Sequence, residues 1–139
     1  MSSESRMPTA ATSPLSFLAV DFGTRRVGVA TGNTLTRGAT PLRTIAVEGE
    51  QRFTAIAALV AEWQPDALVV GVPFHPDGAP HDNTERARRF ARQLHGRFKL
   101  PVHEVDERYS TTEAASEDAR DLDAASAAII LNQFLSTVE

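Results

Sequence analysis

The spacing of apolar residues changes period part-way along the chain, and that change most narrows what the chain can fold into. Up to Val47 the apolar residues come in short runs. Leu15–Phe22, "LSFLAVDF", reads as a buried strand, Gly23-Thr24 begins a turn, and Arg26–Thr31 alternates, with Val27 and Val29 on one parity and small residues on the other. Thr40–Val47, "TPLRTIAV", is a third strand, and Pro41 near its start marks it as an edge. Short connections predict antiparallel hairpins among the three.

From Glu50 to Gln64 the period becomes helical, with Phe53, Ile56, Ala57, Val60 and Trp63 on one stripe, and Pro65-Asp66 ends the helix. Ala67–Pro73, "ALVVGVP", is a continuous apolar run, as expected of a strand covered on both faces. The breaker-rich loop "FHPDGAPHDN" follows, and Asp82 with Glu85 predicts a capping box for the next helix. That helix carries Ala87, Phe90, Ala91, Leu94 and Phe98 on one face and arginines elsewhere. Leu100–Glu107, "LPVHEVDE", is a last strand, and Ala124–Thr137 a last helix. The order β-β-β-α-β-α-β-α predicts a mixed α/β fold: a five-stranded sheet with helices on both faces.

Composition sets the limits. A chain of 139 residues that is 42% hydrophobic suits one domain with a real core. The expected domain runs over residues 15–139, preceded by a Ser/Thr/Pro/Ala-rich tail over 1–14 that lacks the apolar middle of a secretory signal. The absence of cysteine excludes disulfides and zinc–thiolate sites, and a reducing cytoplasm is the natural setting. No apolar run approaches the roughly 18 residues of a membrane span. The net charge of −4 argues against nucleic acid as partner, but its distribution argues the other way. Of fourteen basic residues, seven (Arg86, Arg88, Arg89, Arg92, Arg97, Lys99 and Arg108) lie within one short stretch, and local potential matters more to a polyanion than the global sum.

In such a sheet, function gathers where strands end and crossovers begin. Asp21 lies in the first strand, Asp106 and Glu107 end the last, and Asp123 stands at or before the first turn of the last helix, after Asp118 and Asp121. Converging carboxylates repel one another and raise each other's pKa values unless a cation intervenes. Magnesium or manganese suits oxygen ligands that leave room for water and a substrate phosphate, and paired ions activate water for phosphodiester cleavage. Each residue also has a plainer role: Asp21 in turn chemistry, Asp123 as a helix cap, Glu107 in a surface ion pair. His75, His81, His95 and His103 lack metal-ligand spacing and read as loop or surface residues.

In order, "DFGTRRVGVA", "VVGVPFHPDG", "ERARRFARQL", "LPVHEVDERYSTTEA" and "DLDAASAAIILNQFL" resemble the motifs of the YqgF/RuvX family over nearly the whole chain. That family is described as Holliday-junction-resolvase-like or as a pre-16S rRNA nuclease of the RNase H-like superfamily. The resemblance implies strand order 3-2-1-4-5 with strand 2 antiparallel. It implies a nuclease dependent on Mg2+ or Mn2+, with Asp21, Glu107 and Asp123 as catalytic ligands and Asp106 either a ligand or a support for one. Arg25 and Arg26 follow the family's basic pair and suit phosphate contact; Arg86, Arg89 and Arg108 join them as nucleic-acid-binding candidates. Branched DNA or pre-rRNA is the implied partner, and a symmetric junction favours a homodimer.

Two departures stand out. The segment Tyr109–Leu122 is shorter than in relatives, and acidic where theirs is lysine-rich. The arginine-rich helix Glu85–Lys99 is a candidate replacement. A catalytically weak nucleic-acid-binding factor in rRNA maturation is therefore the alternative. The Asp-Phe-Gly-Thr motif also resembles the phosphate motif of the actin and sugar-kinase group, but those enzymes close two such domains around ATP, and this chain has room for one and no P-loop.

Overall fold

The computed structural model describes residues 14–75, 77–107 and 119–138; of residues 119–122 the backbone alone is described. The expected tail over 1–14 lies almost wholly outside the described residues, as do Arg108 and most of the acidic segment before the last helix. The strands are β1 (Ser16–Asp21), β2 (Val27–Asn33), β3 (Ala39–Ile45), β4 (Ala67–Val72) and β5 (Val102–Asp106), and the helices α1 (Glu50–Trp63), α2 (Thr84–Phe98) and α3 (Ala119–Leu135). They form one sheet in the order β3-β2-β1-β4-β5. Strand β2 is antiparallel to β1 and β3, while β1, β4 and β5 run parallel. Order and polarity are those expected.

The two faces of the sheet differ in side-chain size, because period-two alternation sends successive residues to opposite sides. Leu18, Val20, Val27, Val29, Leu68 and Val70 face α1 and α2 and pack with Ile56, Leu59, Phe90, Ala91 and Leu94. The opposite parity is built largely of small residues: Ala19, Gly28, Ala30, Gly32, Ala67 and Gly71. Against this shallow face lies α3, through Ala127, Ala128, Ile130, Leu131 and Leu135. Small residues on both sides let the helix approach the sheet closely. Among the described residues no helix is long and apolar enough to cross a membrane.

Turn chemistry ends the helices. Gln64 (φ 46°) and Lys99 (φ 58°) adopt left-handed conformations, and their N–H groups donate to Val60 O and His95 O. The C-terminal end of α3 is tied to the β2–β3 turn: Arg37 donates to the carbonyls of Leu135 and Val138, and Ala39 N–H donates to Asn132 Oδ1 at 3.0 Å. A cation there also suits the helix dipole.

Three local expectations are corrected. The stripe of α1 is wider than expected: Ile56 is buried and Phe53 and Val60 pack against the core as predicted, but Arg52 and Leu59 are buried beside them and Trp63 is 41% exposed. The capping box at Asp82 and Glu85 does not form: Asn83 is the N-cap, without a side-chain hydrogen bond, and Glu85 pairs instead with Arg92 at 2.9 Å. The start of α2 is held by Thr84, which accepts from His81 N–H at 2.7 Å and donates to the Pro73 carbonyl. Finally, α3 begins at Ala119, so Asp123 lies inside the helix. Pro41 does mark an edge, as expected: β3 is the outer strand and its pairing slips beside Leu42, where Val29 opposes Arg43 and Ala30 opposes Pro41.

Gly28 is the tightest point between sheet and α3. A Cβ there would lie 1.8 Å from the Asp123 carbonyl oxygen, whereas one on Gly38 would meet nothing within 4 Å. Gly28→Ala is expected to lose at least about 1–3 kcal/mol in urea denaturation. Gly38→Ala should stay within about 0.5 kcal/mol of the parent.

Candidate active site

Asp21 is the last residue of β1 and shares its parity with Phe17 and Ala19, so its side chain faces α3. Register places it between Gly28 of β2 and Gly71 of β4. Both neighbours lack side chains on the face where the carboxylate sits. A Cβ on Gly71 would come within 2.9 Å of Glu107 Oε1 and 2.3 Å of Ile130, so glycine there leaves the space that Glu107 uses. Glu107 follows β5 directly; its N–H donates to Val72 O at 3.1 Å and its side chain is buried. The Asp21 and Glu107 carboxyl groups share a hydrogen bond, which requires a proton on one of them. Burial pushes Asp21 from its ordinary 3.8 up to about 7; the Asp123 charge adds to the rise, and the hydrogen bond to Glu107 opposes it.

Asp123 reaches the same place from α3. Its carbonyl lies over Gly28, and its Oδ2 is buried without a hydrogen-bond donor among the described residues. Arg26, immediately before β2, brings Nε to 2.8 Å from that oxygen. The approach is that of an ion pair, off the line of a hydrogen bond. Asp21, Glu107 and Asp123 are thus brought together where β1 and β5 end. Asp106 is not: it pairs in register with Val72, on the face of α1 and α2, and is exposed. Sheet alternation sends Asp106 and Glu107 to opposite sides.

The cationic candidates separate equally clearly. Arg25 is exposed and has no partner among the described residues. Along α2, Arg88 pairs with Glu104 (3.4 Å), Arg92 with Glu85 (2.9 Å) and Arg97 with Glu50 (2.7 Å). Arg86 holds only Asn83 Oδ1 at 3.1 Å, and Arg89 makes no ion pair among the described residues. Both lie in the first turns of α2, just beyond the loop that leaves β4. Phe74 in that loop bridges to Pro80 and lies under Arg88, which is 5.4 Å from its ring centre, so it anchors the loop on its own domain. The His75 and His81 rings lie 5.0 Å apart, and His81 Nδ1 accepts from Asn83 N–H, a loop role as expected.

One residue that braces the site escaped sequence reasoning. Arg52 is buried in α1, donates to Val47 O (3.1 Å) and Thr24 O (3.2 Å), and sits 5.9 Å from the Phe22 ring centre. It ties the turn that carries Arg25 and Arg26 to α1. Burial lowers its pKa. A signal existed: Arg52 stands four and seven residues before Ile56 and Leu59, on their stripe.

Comparison with known proteins identifies the family and the fold. Residues 15–137 match the family model RuvX, described as Holliday junction resolvase. The chain belongs to the RuvX family. A relative in Albidiferax ferrireducens, named "Putative pre-16S rRNA nuclease", is 68% identical over 122 residues, covering 88% of this chain and 78% of its own. One of the same name in Burkholderia pseudomallei is 53% identical over 136 residues, covering 93% of each. Among solved structures, Thermus thermophilus RuvC in complex with Holliday junction substrate superposes with TM-score 0.51 at 16% identity, covering 87% of this RuvX chain and 93% of that one. A second Thermus thermophilus RuvC structure gives TM-score 0.51 at 11% identity, over 88% and 98%. At such identities the likeness establishes the fold, which is RNase H-like.

The donor set of this RuvX site is all carboxylate oxygen, the chemistry of a hard divalent ion, and the undonated Asp123 Oδ2 offers a lone pair to one. As the side chains stand, no group of three or more His, Asp or Glu among the described residues forms a ready metal cage.

A raised Asp21 pKa means that the folded protein holds a proton that the unfolded chain has released. Without metal, this group's contribution to stability is full below about pH 3.8 and is lost as pH rises to about 7. Asp21→Asn should therefore melt higher than the parent at pH 8 in EDTA, with the difference shrinking as pH falls toward 4. Thermal melts across that range test this.

Proposed function

We propose that this RuvX protein is a metal-dependent endonuclease that hydrolyses phosphodiester bonds in structured nucleic acid, a pre-16S rRNA 5′ end or a four-way DNA junction. One observation carries the reading: Asp21, Glu107 and Asp123, distant in sequence, converge at one end of the sheet. Relatives named as nuclease, and a solved relative by fold bound to Holliday junction, support the substrate class.

Asp21, Glu107 and Asp123 would hold Mg2+ or Mn2+, which when bound supplies an acidified water and stabilises the leaving oxygen. The protein's own groups supply the rest. Gly28 and Gly71 let the carboxylates and α3 approach. Arg52 holds the turn beside Asp21. Arg25, Arg86 and Arg89, exposed, offer phosphate contacts, and Arg108 is a further candidate. Phosphate contacts of this kind position a duplex without reading bases. The cytoplasm is the compartment that fits, and a two-fold homodimer is the assembly that suits a symmetric junction. The Arg26–Asp123 ion pair favours a second reading, a nucleic-acid-binding factor with little catalysis. Metal titration separates the two: the binding factor takes up no Mn2+.

Cleavage of four-way DNA, single-stranded RNA and structured pre-rRNA ends with Mg2+, Mn2+ or EDTA tests the proposal. Asp21→Asn, Glu107→Gln and Asp123→Asn should fold and lose cleavage by about a hundredfold or more. Full activity in Asp21→Asn overturns the assignment.

Arg86→Ala and Arg89→Ala should weaken binding alike across sequences, each reducing the slope of log affinity against log salt by about 0.9 for duplex DNA. Arg97→Ala, already neutralised by Glu50, should leave the slope unchanged. Salt titrations by fluorescence anisotropy make the comparison.

A further inference from the structure

We propose that Arg26 is the resting counter-ion of the carboxylate cluster, occupying Asp123 until a divalent cation displaces it and then turning its guanidinium to the substrate phosphate. This deepens the nuclease reading above and rests on it.

Three features of the site carry the inference. The Asp123 Oδ2 atom is shut off from solvent and has no hydrogen-bond donor among the described residues, while Arg26 Nε lies 2.8 Å from it. A guanidinium at that distance stands where a metal ligand's lone pair would be used, and two cations cannot share that approach without strong repulsion. The contact is also made to be broken. It lacks hydrogen-bond alignment, and the Arg26 side chain is 52% exposed, so its Coulombic attraction is screened and weak.

Displacement needs only a side-chain swing, because the backbone on either side is anchored. Val27 is fully buried, Gly28 lies under the Asp123 carbonyl, and Thr24 is held by Arg52. A released Arg26 stays beside the exposed Arg25, where a planar guanidinium can take a phosphate bidentately. One side chain would thus exchange partners as the site loads, so that metal uptake and phosphate binding favour each other through a shared competitor.

The test uses the full chain, stripped with EDTA. Isothermal titration with MnCl2 should show Arg26→Gln binding Mn2+ about two- to fivefold tighter than the parent, the scale of one exposed ion pair removed. A purely structural Arg26 predicts weaker or unchanged binding. In anisotropy with a four-way DNA junction, added Ca2+ should tighten binding by the parent more than by Arg26→Gln. A readout that needs no variant is the Arg26 Nε–H chemical shift during Mg2+ titration, which should move as the Asp123 carboxylate beside it is taken by the ion. If the parent takes up no Mn2+ and cuts nothing, the nuclease reading falls and this proposal with it. If the parent binds Mn2+ but Arg26→Gln binds it no tighter, or the Nε–H signal stays unmoved at saturating Mg2+, the nuclease reading stands and the Arg26 proposal is overturned.

Discussion

Three carboxylates held together at the end of a β-sheet, partly out of water, are the constraint around which this RuvX protein is built. Moving an isolated ionised carboxylate into a low-dielectric interior costs tens of kcal/mol by continuum reasoning, and like charges nearby add to that. The molecule meets the cost locally. Asp21 and Glu107 share a hydrogen bond and hence a proton; Arg26 stands against Asp123. Gly28 and Gly71 flank Asp21 in the sheet and make room for what surrounds it. A side chain at either position would push Asp123 or Glu107 away.

The division of the sheet into a deep and a shallow face follows from the same requirement. Under α1 and α2 the sheet presents leucines and valines, and the larger core sits there. Under α3 it presents mainly alanine and glycine, with Phe17 and Val69 among them, and at Gly28 the helix lies close and delivers Asp123 to the end of β1. Stability is concentrated on one side and site geometry on the other. Arg52 crosses the divide: buried beside the large core, it fixes the turn that carries Arg25 and Arg26.

Charge is distributed with similar economy. The arginine-rich helix is less of a polycation than its composition implies, because Glu85, Glu104 and Glu50 neutralise Arg92, Arg88 and Arg97. Arg86 and Arg89, without such partners among the described residues, lie in the first turns of the helix. A protein of net charge −4 can in this way offer positive potential in one place.

Much of this was legible in the residues alone, and the boundary is instructive. The change from strand period to helical period was enough for the element order, and the alternation of Val27 and Val29 with small residues already contained the two unequal faces. Pro41 announced an edge because a proline has no N–H to give the next strand. The ordered motifs named the family and nominated Asp21, Glu107 and Asp123. Local pattern failed where packing chose between near-equal options. The stripe of α1 took in Arg52, whose guanidinium two backbone carbonyls satisfy, and left Trp63 exposed. Glu85 left its capping role for Arg92. Asp123 proved to be inside a helix, and Asp106 on the wrong face of the sheet. Element order and the hairpin polarity of the first strands are properties of short-range spacing and residue type, which a chain carries before it folds, and the acidic trio was legible through the family's motifs. The shared proton of Asp21 and Glu107, the pairing of Arg26 with Asp123 and the burial of Arg52 arise only when segments tens of residues apart are pressed together, since proximity and exclusion of water set the strength of each.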